Sequence, residues 1–210
     1  MRKLFLGVAL AAALPLSAVT VDRIAAVIDR QVLTVSEIGQ MAEVRFFART
    51  AGRSDDDYRR AILDALIAQT LRQRDVERFG APEVPLDSIE ARLRQIEDRF
   101  STPEELEAAL VRAELTLDDL RALVKRQLQV EIYIQERFAP LVFVANDEIE
   151  AYYAGPWTRQ RRERGLPVVP LAEVREAIRS LLRASRLAEE IERWTNRLRL
   201  RANVDIYAWR

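Results

Sequence analysis

Two short stretches with period-two alternation stand at opposite ends of this 210-residue chain, and everything between them repeats every three to four residues. Near the start, Ile24, Ala26 and Ile28 alternate with Arg23, Ala25 and Val27. Asp29-Arg30-Gln31 offers a turn before Val32-Leu33-Thr34. At the far end Val204, Ile206 and Ala208 alternate with Asp205, Tyr207 and Trp209. Successive strand residues face opposite sides of a sheet, so this alternation predicts strands. A lone two-stranded hairpin is marginal in water. The terminal strand is therefore expected to return and pair with the first ribbon over Val21–Thr34. That single requirement brings the chain ends together and seats the last helix on the earlier ones. The turn lacks the Asn-Gly pair that two-residue hairpin loops favour.

The interior reads as helices with identifiable starts. Thr34 and Glu37 have capping-box spacing, Ser36 competes as a cap, and Ile38, Met41, Val44, Phe47 and Ala48 form the first stripe. Ser54 precedes Asp55-Asp56-Asp57, which places acids where the helix dipole favours them. Capping explains that acidic run better than a metal site does. Tyr58, Ile62 and Leu66, with Leu63, Ile67 and Leu71, follow at four-residue spacing up to Gly80 and Pro82. A helix is expected over Leu86–Arg99. Thr102-Pro103-Glu104-Glu105 combines a cap, a first-position proline and a third-position glutamate. Thr116 caps a longer helix carrying Leu120, Val124, Leu128 and Ile132, which ends before Pro140. Asn146 is the expected cap of a helix with Ile149, Tyr152 and Tyr153. Gly155-Pro156 then predicts a break, and Trp157–Pro170, with Arg159, Arg161, Arg162 and Arg164, reads as a linker. From Leu171 a helix of about 30 residues is expected to reach Ala202, striped by Val174, Ile178, Leu181, Ala188, Ile191 and Leu198, with Trp194 beside the stripe.

Composition excludes several functions. Histidine and cysteine are absent, which removes hydrolytic triads, thiol catalysis, disulfides and most zinc sites. Six scattered glycines build no phosphate-cradling loop, so no nucleotide or other cofactor is implied. At the start, Arg2 and Lys3 precede the apolar run Leu4–Leu14, and Pro15-Leu16-Ser17-Ala18 supplies small residues. Residues 1–18 are thus expected to be a cleaved export signal, with an uncleaved anchor as the alternative. The run is shorter than the roughly 20 residues of a spanning helix, so no stable span is expected after cleavage. Cleavage would leave 31 basic against 33 acidic residues, without the basic excess of a nucleic-acid binder.

Three segments resemble the SurA-type periplasmic chaperones. Val21-Asp22-Arg23-Ile24-Ala25-Ala26-Val27-Ile28 through Val35-Ser36-Glu37-Ile38 is similar to their opening. Val144–Tyr153 resembles the helix preceding their parvulin prolyl-isomerase domain. Ile191-Glu192-Arg193-Trp194 through Val204-Asp205-Ile206 resembles their closing helix and strand. The resemblance implies a mostly α fold: a discontinuous helical chaperone module over residues 19–153 and 174–210, with a small β-sheet formed by the N-terminal ribbon and the C-terminal strand. Only residues 154–173 occupy the place of the parvulin domain, too few for an independent domain. The family therefore implies ATP-independent, periplasmic binding of unfolded polypeptides, such as outer-membrane protein precursors, without isomerase activity. A prolyl isomerase of unfamiliar design and a dedicated assembly partner of one envelope protein are the alternatives. Large apolar side chains not absorbed by the stripes are the candidate client contacts: Phe46, Tyr133, Phe143, Tyr152, Tyr153 and Trp157. Phe46 stands out because Phe47 adjoins it and a continuous helix cannot turn both into one core.

Overall fold

The computed structural model describes residues 22–207. The expected signal, Val21, and Ala208 and Trp209 of the terminal alternation lie outside the described residues. Strands β1 (Ile24–Ile28) and β2 (Gln31–Thr34) form an antiparallel hairpin, and β3 (Val204–Ile206) pairs antiparallel with the free side of β1. The strand order is β2-β1-β3. The first and last strands of the described residues therefore meet, as the instability of a lone hairpin requires. Opposite Leu33-Thr34, β1 carries an irregularity between Ile24 and Ala26, and both Ala25 and Ala26 are fully buried. The molecule is mostly α-helical with this one small sheet among the described residues.

Asp29 closes the hairpin in the left-handed region, at φ 52°. Its N–H donates to the Asn203 carbonyl, and its carboxylate accepts from the Asn203 N–H, both at 2.8 Å. The same carboxylate pairs with Arg74 at 2.8 Å, and Arg74 also donates to the Ile28 carbonyl. The turn that lacks Asn-Gly is thus held by residues remote in sequence.

Helix α1 (Val35–Glu43) has the expected capping box: Thr34 Oγ1 accepts from the Glu37 N–H at 3.2 Å, and the Glu37 carboxylate accepts from the Thr34 N–H at 2.7 Å. It is shorter than its apolar stripe suggests. Arg45 takes φ 49°, its N–H bonds to the Ala42 carbonyl, and the Phe46 N–H bonds to the Met41 carbonyl. This pair of bonds is a Schellman ending, usually built on glycine. Here tertiary contacts hold it: Arg99 donates to the Arg45 carbonyl and, at 2.7 Å, to the Phe46 carbonyl, while the Arg45 guanidinium lies over the Phe100 ring.

Three of the next four helices start where their side-chain caps stand; the other follows Pro85 without one. Ser54 accepts from the Asp57 N–H ahead of α2 (Asp55–Phe79). After α3 (Leu86–Glu97), Thr102 caps α4 (Pro103–Arg112), whose first residue is proline. Thr116 and Asp119 form a capping box on α5 (Leu117–Arg137). Ile62, Ile67, Ile96, Leu120 and Val124 are almost wholly inaccessible and, with the sheet and α1, make the main core.

Beyond α5 come α6 (Asn146–Tyr152), α7 (Thr158–Glu163) and α8 (Leu171–Arg201). Asn146 is not the cap: it is the first helical residue, the Glu148 carboxylate accepts from the Ala145 N–H at 2.8 Å, and the Asn146 amide oxygen accepts from Arg179. The break expected at Gly155-Pro156 does not occur. A π-helical turn over Tyr153–Trp157 joins α6 to α7, its wider ring accommodating the proline that cannot donate. Much of the expected linker is therefore helical. Tyr153 donates its hydroxyl to the Val169 carbonyl at 2.8 Å and Arg161 donates to the Pro167 carbonyl at 2.7 Å, so the return to α8 folds against this unit.

Helix α8 has 31 residues, about 46 Å at 1.5 Å per residue, and serves two clusters. Its C-terminal half carries Trp194 into a cluster with Val76, Val130, Tyr133 and Ile134. Its N-terminal half buries Ile178 with Val144 and Ile149 in a distal lobe. Leu181, expected in the stripe, is exposed, and Leu182 packs in its place.

Candidate functional site

A groove of about 360 Å³ runs between the β2–α1 segment and helices α2 and α5. Leu33, Met41, Phe46, Phe47, Leu66 and Leu123 give it apolar walls, and Gln69, Gln73 and Gln127 give it amides. Its construction follows from the elements. The four-residue spacing of Leu66 with Ile62 on α2 places Leu66 at the margin of the core, while Gln69 and Gln73 repeat at the same interval one position round the helix. The Schellman ending of α1 releases Phe46 and Phe47 from helical geometry. They meet edge to face, with ring centroids 5.1 Å apart at 82°. Tyr58, buried at the start of α2, donates its hydroxyl to the Phe47 carbonyl at 2.6 Å and fixes that segment. Burial raises the Tyr58 phenol above its ordinary value, so it remains a donor.

Gln73 is the polar residue in the floor, only 8% exposed. Its amide nitrogen donates to Glu77 at 3.1 Å and to Gln129 at 3.2 Å, and its amide oxygen has no partner among the described residues. A buried acceptor without a donor costs about 1–3 kcal/mol. A ligand offering an N–H would recover that, as an extended peptide backbone does at every second residue. The cleft beside α4, by contrast, is lined chiefly by charged side chains, Glu43, Arg45, Glu105 and Arg112 among them.

The aromatic residues singled out in the sequence do not converge. Phe46 lies in the groove wall but is 7% exposed, because the Schellman ending turns it inward and leaves Phe47 nearer the opening. Tyr133 is buried in the second cluster, stacked on Trp194 at 5.7 Å. Phe143 is 76% exposed between α5 and α6, with Arg186 donating to its carbonyl. Tyr152, Tyr153 and Trp157 are half-buried in the distal lobe, and Arg161 lies over the Trp157 ring. Sequence reasoning passed over Phe47, Leu66 and Leu123 because each fits a helix stripe or borders one. The available signal was the Gln69/Gln73 repeat, polar residues at helical spacing beside an apolar row.

Among the described residues no helix is long and apolar enough to cross a membrane, and no group of acidic side chains is placed to hold a metal ion. No protein-family model matches the chain, and no curated protein matches it.

Proposed function

We propose that the protein is an ATP-independent chaperone that holds extended segments of unfolded polypeptide in the groove between α1 and the α2–α5 pair. The observation that carries this reading is the pairing of apolar walls with the unpartnered Gln73 amide oxygen, which offers sites for both side chain and backbone of a client. The resemblance of the chain's opening and closing segments to SurA-type chaperones supports the same reading. It points to the periplasm as the compartment and outer-membrane protein precursors as clients. Neither hydrolysis of a nucleotide nor prolyl isomerisation belongs to the proposed mechanism.

Magnitudes favour transient holding. Burying two client side chains supplies roughly 3–6 kcal/mol, against several kcal/mol for lost translational freedom and side-chain ordering. The balance is weak binding, which lets a client leave for an assembly site that holds it better. Meanwhile occupied segments cannot pair edge to edge and aggregate.

The test is light scattering of an unfolded β-barrel protein diluted from urea without ATP. Delayed aggregation at stoichiometric protein is expected, and Leu66→Gln combined with Leu123→Gln is expected to abolish it while the chain keeps the far-ultraviolet circular dichroism of the folded parent. Full protection by that variant would remove the groove from the mechanism. Capture of one dominant protein from periplasmic extract, rather than a spread, would favour a dedicated assembly partner. Catalysis of a proline peptide above its uncatalysed rate of tens to hundreds of seconds would reinstate the isomerase.

A further inference from the structure

The C-terminal ends of α2, α5 and α8 converge on a second cavity, of about 260 Å³, on the other side of α2 from the groove residue Gln73. Four arginines line it: Arg78 at the end of α2, Arg137 at the end of α5, and Arg197 and Arg201 on the last turns of α8. Among the described residues none of the four is ion-paired. The only carboxylate in the lining among the described residues is Asp75, and it accepts from the Trp194 indole N–H at 2.9 Å.

Helix C-termini are themselves negative, so arginines there have an ordinary explanation that must be weighed. Each helix end is equivalent to roughly −0.5 of a charge, so three supply about −1.5. The four guanidinium groups and Asp75 sum to a formal +3. The helix ends therefore neutralise about half of that charge and leave roughly +1.5 over.

The walls are aromatic. Tyr133, Phe138 and Trp194 pack as one cluster, with Tyr133 and Trp194 at 5.7 Å and Phe138 and Trp194 at 5.1 Å. Phe79, 57% exposed, stands at the rim with the Arg137 guanidinium 5.2 Å from its ring centre. Tyr133 adds a polar group to these walls. The residue is 92% buried, it lines this cavity, and its hydroxyl has no hydrogen-bond partner among the described residues.

We infer that this cavity is a binding site for a carboxylate carried next to an aromatic ring, presented by an acidic residue with an aromatic neighbour in a polypeptide segment. Guanidinium groups match a carboxylate through paired hydrogen bonds, the Tyr133 hydroxyl supplies a further donor, and the ring of the neighbouring residue stacks on Phe79 or Phe138. The volume holds a residue-sized group. The site does not depend on the groove reading, since it shares no lining residue with the groove.

The experiment uses the full chain and isothermal titration calorimetry with an end-blocked peptide, Gly-Ser-Phe-Glu-Gly-Ser, against the same peptide with Gln for Glu. The acidic peptide is expected to bind at least tenfold more tightly, and to weaken as salt rises from 50 to 300 mM. Arg137→Gln with Arg197→Gln should cost at least tenfold, the loss expected for a charge-assisted hydrogen bond. Asp75→Asn removes the one negative charge while leaving an acceptor for Trp194, and should tighten binding about threefold or more. That variant moves affinity in the direction that damage to the fold would not. Leu66→Gln in the groove should leave affinity for the acidic peptide unchanged. Equal affinity for the two peptides, no gain with Asp75→Asn, or binding confined to phosphatidylglycerol vesicles would overturn the inference.

Discussion

Asp29 joins three parts of the fold, so its replacement tests how the terminal strand is held. Asp29→Ala removes three contributions. A non-glycine residue at φ 52° costs roughly 1–2 kcal/mol, a penalty that aspartate's short polar side chain partly relieves and alanine's does not. The bond from the Asn203 N–H at 2.8 Å is worth about 1 kcal/mol. The Arg74 pair, with side chains 33% and 46% exposed, is screened by water and adds only about 0.5 kcal/mol. Together the loss is about 2–3 kcal/mol, or a fall of roughly 5–10 °C in melting midpoint for a chain of this size. Asp29→Gly loses the same side-chain contacts but relieves the backbone, so it should cost about 1 kcal/mol less. Asp29→Asn keeps an acceptor for Asn203 and should stay within about 1 kcal/mol of the parent. Urea titration followed by circular dichroism orders the three, and hydrogen exchange at the Asn203 amide reports the local bond. A glycine variant less stable than the alanine variant would refute the backbone argument. An alanine variant within about 0.5 kcal/mol of the parent, the range of ordinary surface changes, would refute the tie itself.

Two further outcomes concern the distal lobe. Replacing Arg159–Gly165 by Gly and Ser at equal length removes α7, the Arg161–Pro167 bond and the cation over Trp157. Helix propensity alone loses about 0.5–1 kcal/mol per glycine, so exchange protection across residues 146–163 should fall at least tenfold while the main transition moves little; unchanged protection would show that α7 does not hold the lobe. Glu148 is held below the ordinary 4.5 first by the Arg186 guanidinium and then by the Ala145 N–H. A depressed folded-state value means its contribution is complete above the unfolded pKa and disappears as pH falls through the folded one. Exchange from the start of α6 should therefore accelerate on acidification below about 4.5 beyond the intrinsic rate, and Glu148→Gln should already be fast at neutral pH and lack that step; a variant with the parent's pH profile would rule Glu148 out.

The candidate sites were less visible in the sequence than the fold. The search for aromatics outside the stripes found Phe46 and Tyr133, which line the two cavities, but it also gathered Tyr152, Tyr153 and Trp157, which pack together in the distal lobe. The groove's other walls, Leu66 and Leu123, are half-buried stripe or near-stripe residues. Periodicity alone cannot separate a side chain at the edge of a core from one at the edge of a cleft. Arg78 and Arg137 of the second cavity lie 59 positions apart and Arg197 a further 60 along, and only the packing of three helix ends brings them together.

The sequence by itself determined where the side-chain-capped helices begin. Ser54, Thr102 and Thr116 each cap an N–H three residues on, a bond needing no partner outside its own turn. It also determined the sheet, because period-two alternation at both ends leaves a marginal hairpin unless the last strand returns. Where helices end and what the turns tolerate was decided by tertiary structure. Arg45 ends α1 without a glycine because Arg99, 54 residues away, bonds its carbonyl. Asp29 turns the hairpin without Asn-Gly because Asn203, 174 residues away, meets both its backbone and its carboxylate. Gly155-Pro156 continues a helix because the π turn and the packing of Tyr153 and Trp157 against α8 hold it. A cap is satisfied by neighbours in the chain, so sequence spacing reveals it. A strained or irregular turn is stabilised by contacts that exist only once remote segments have met.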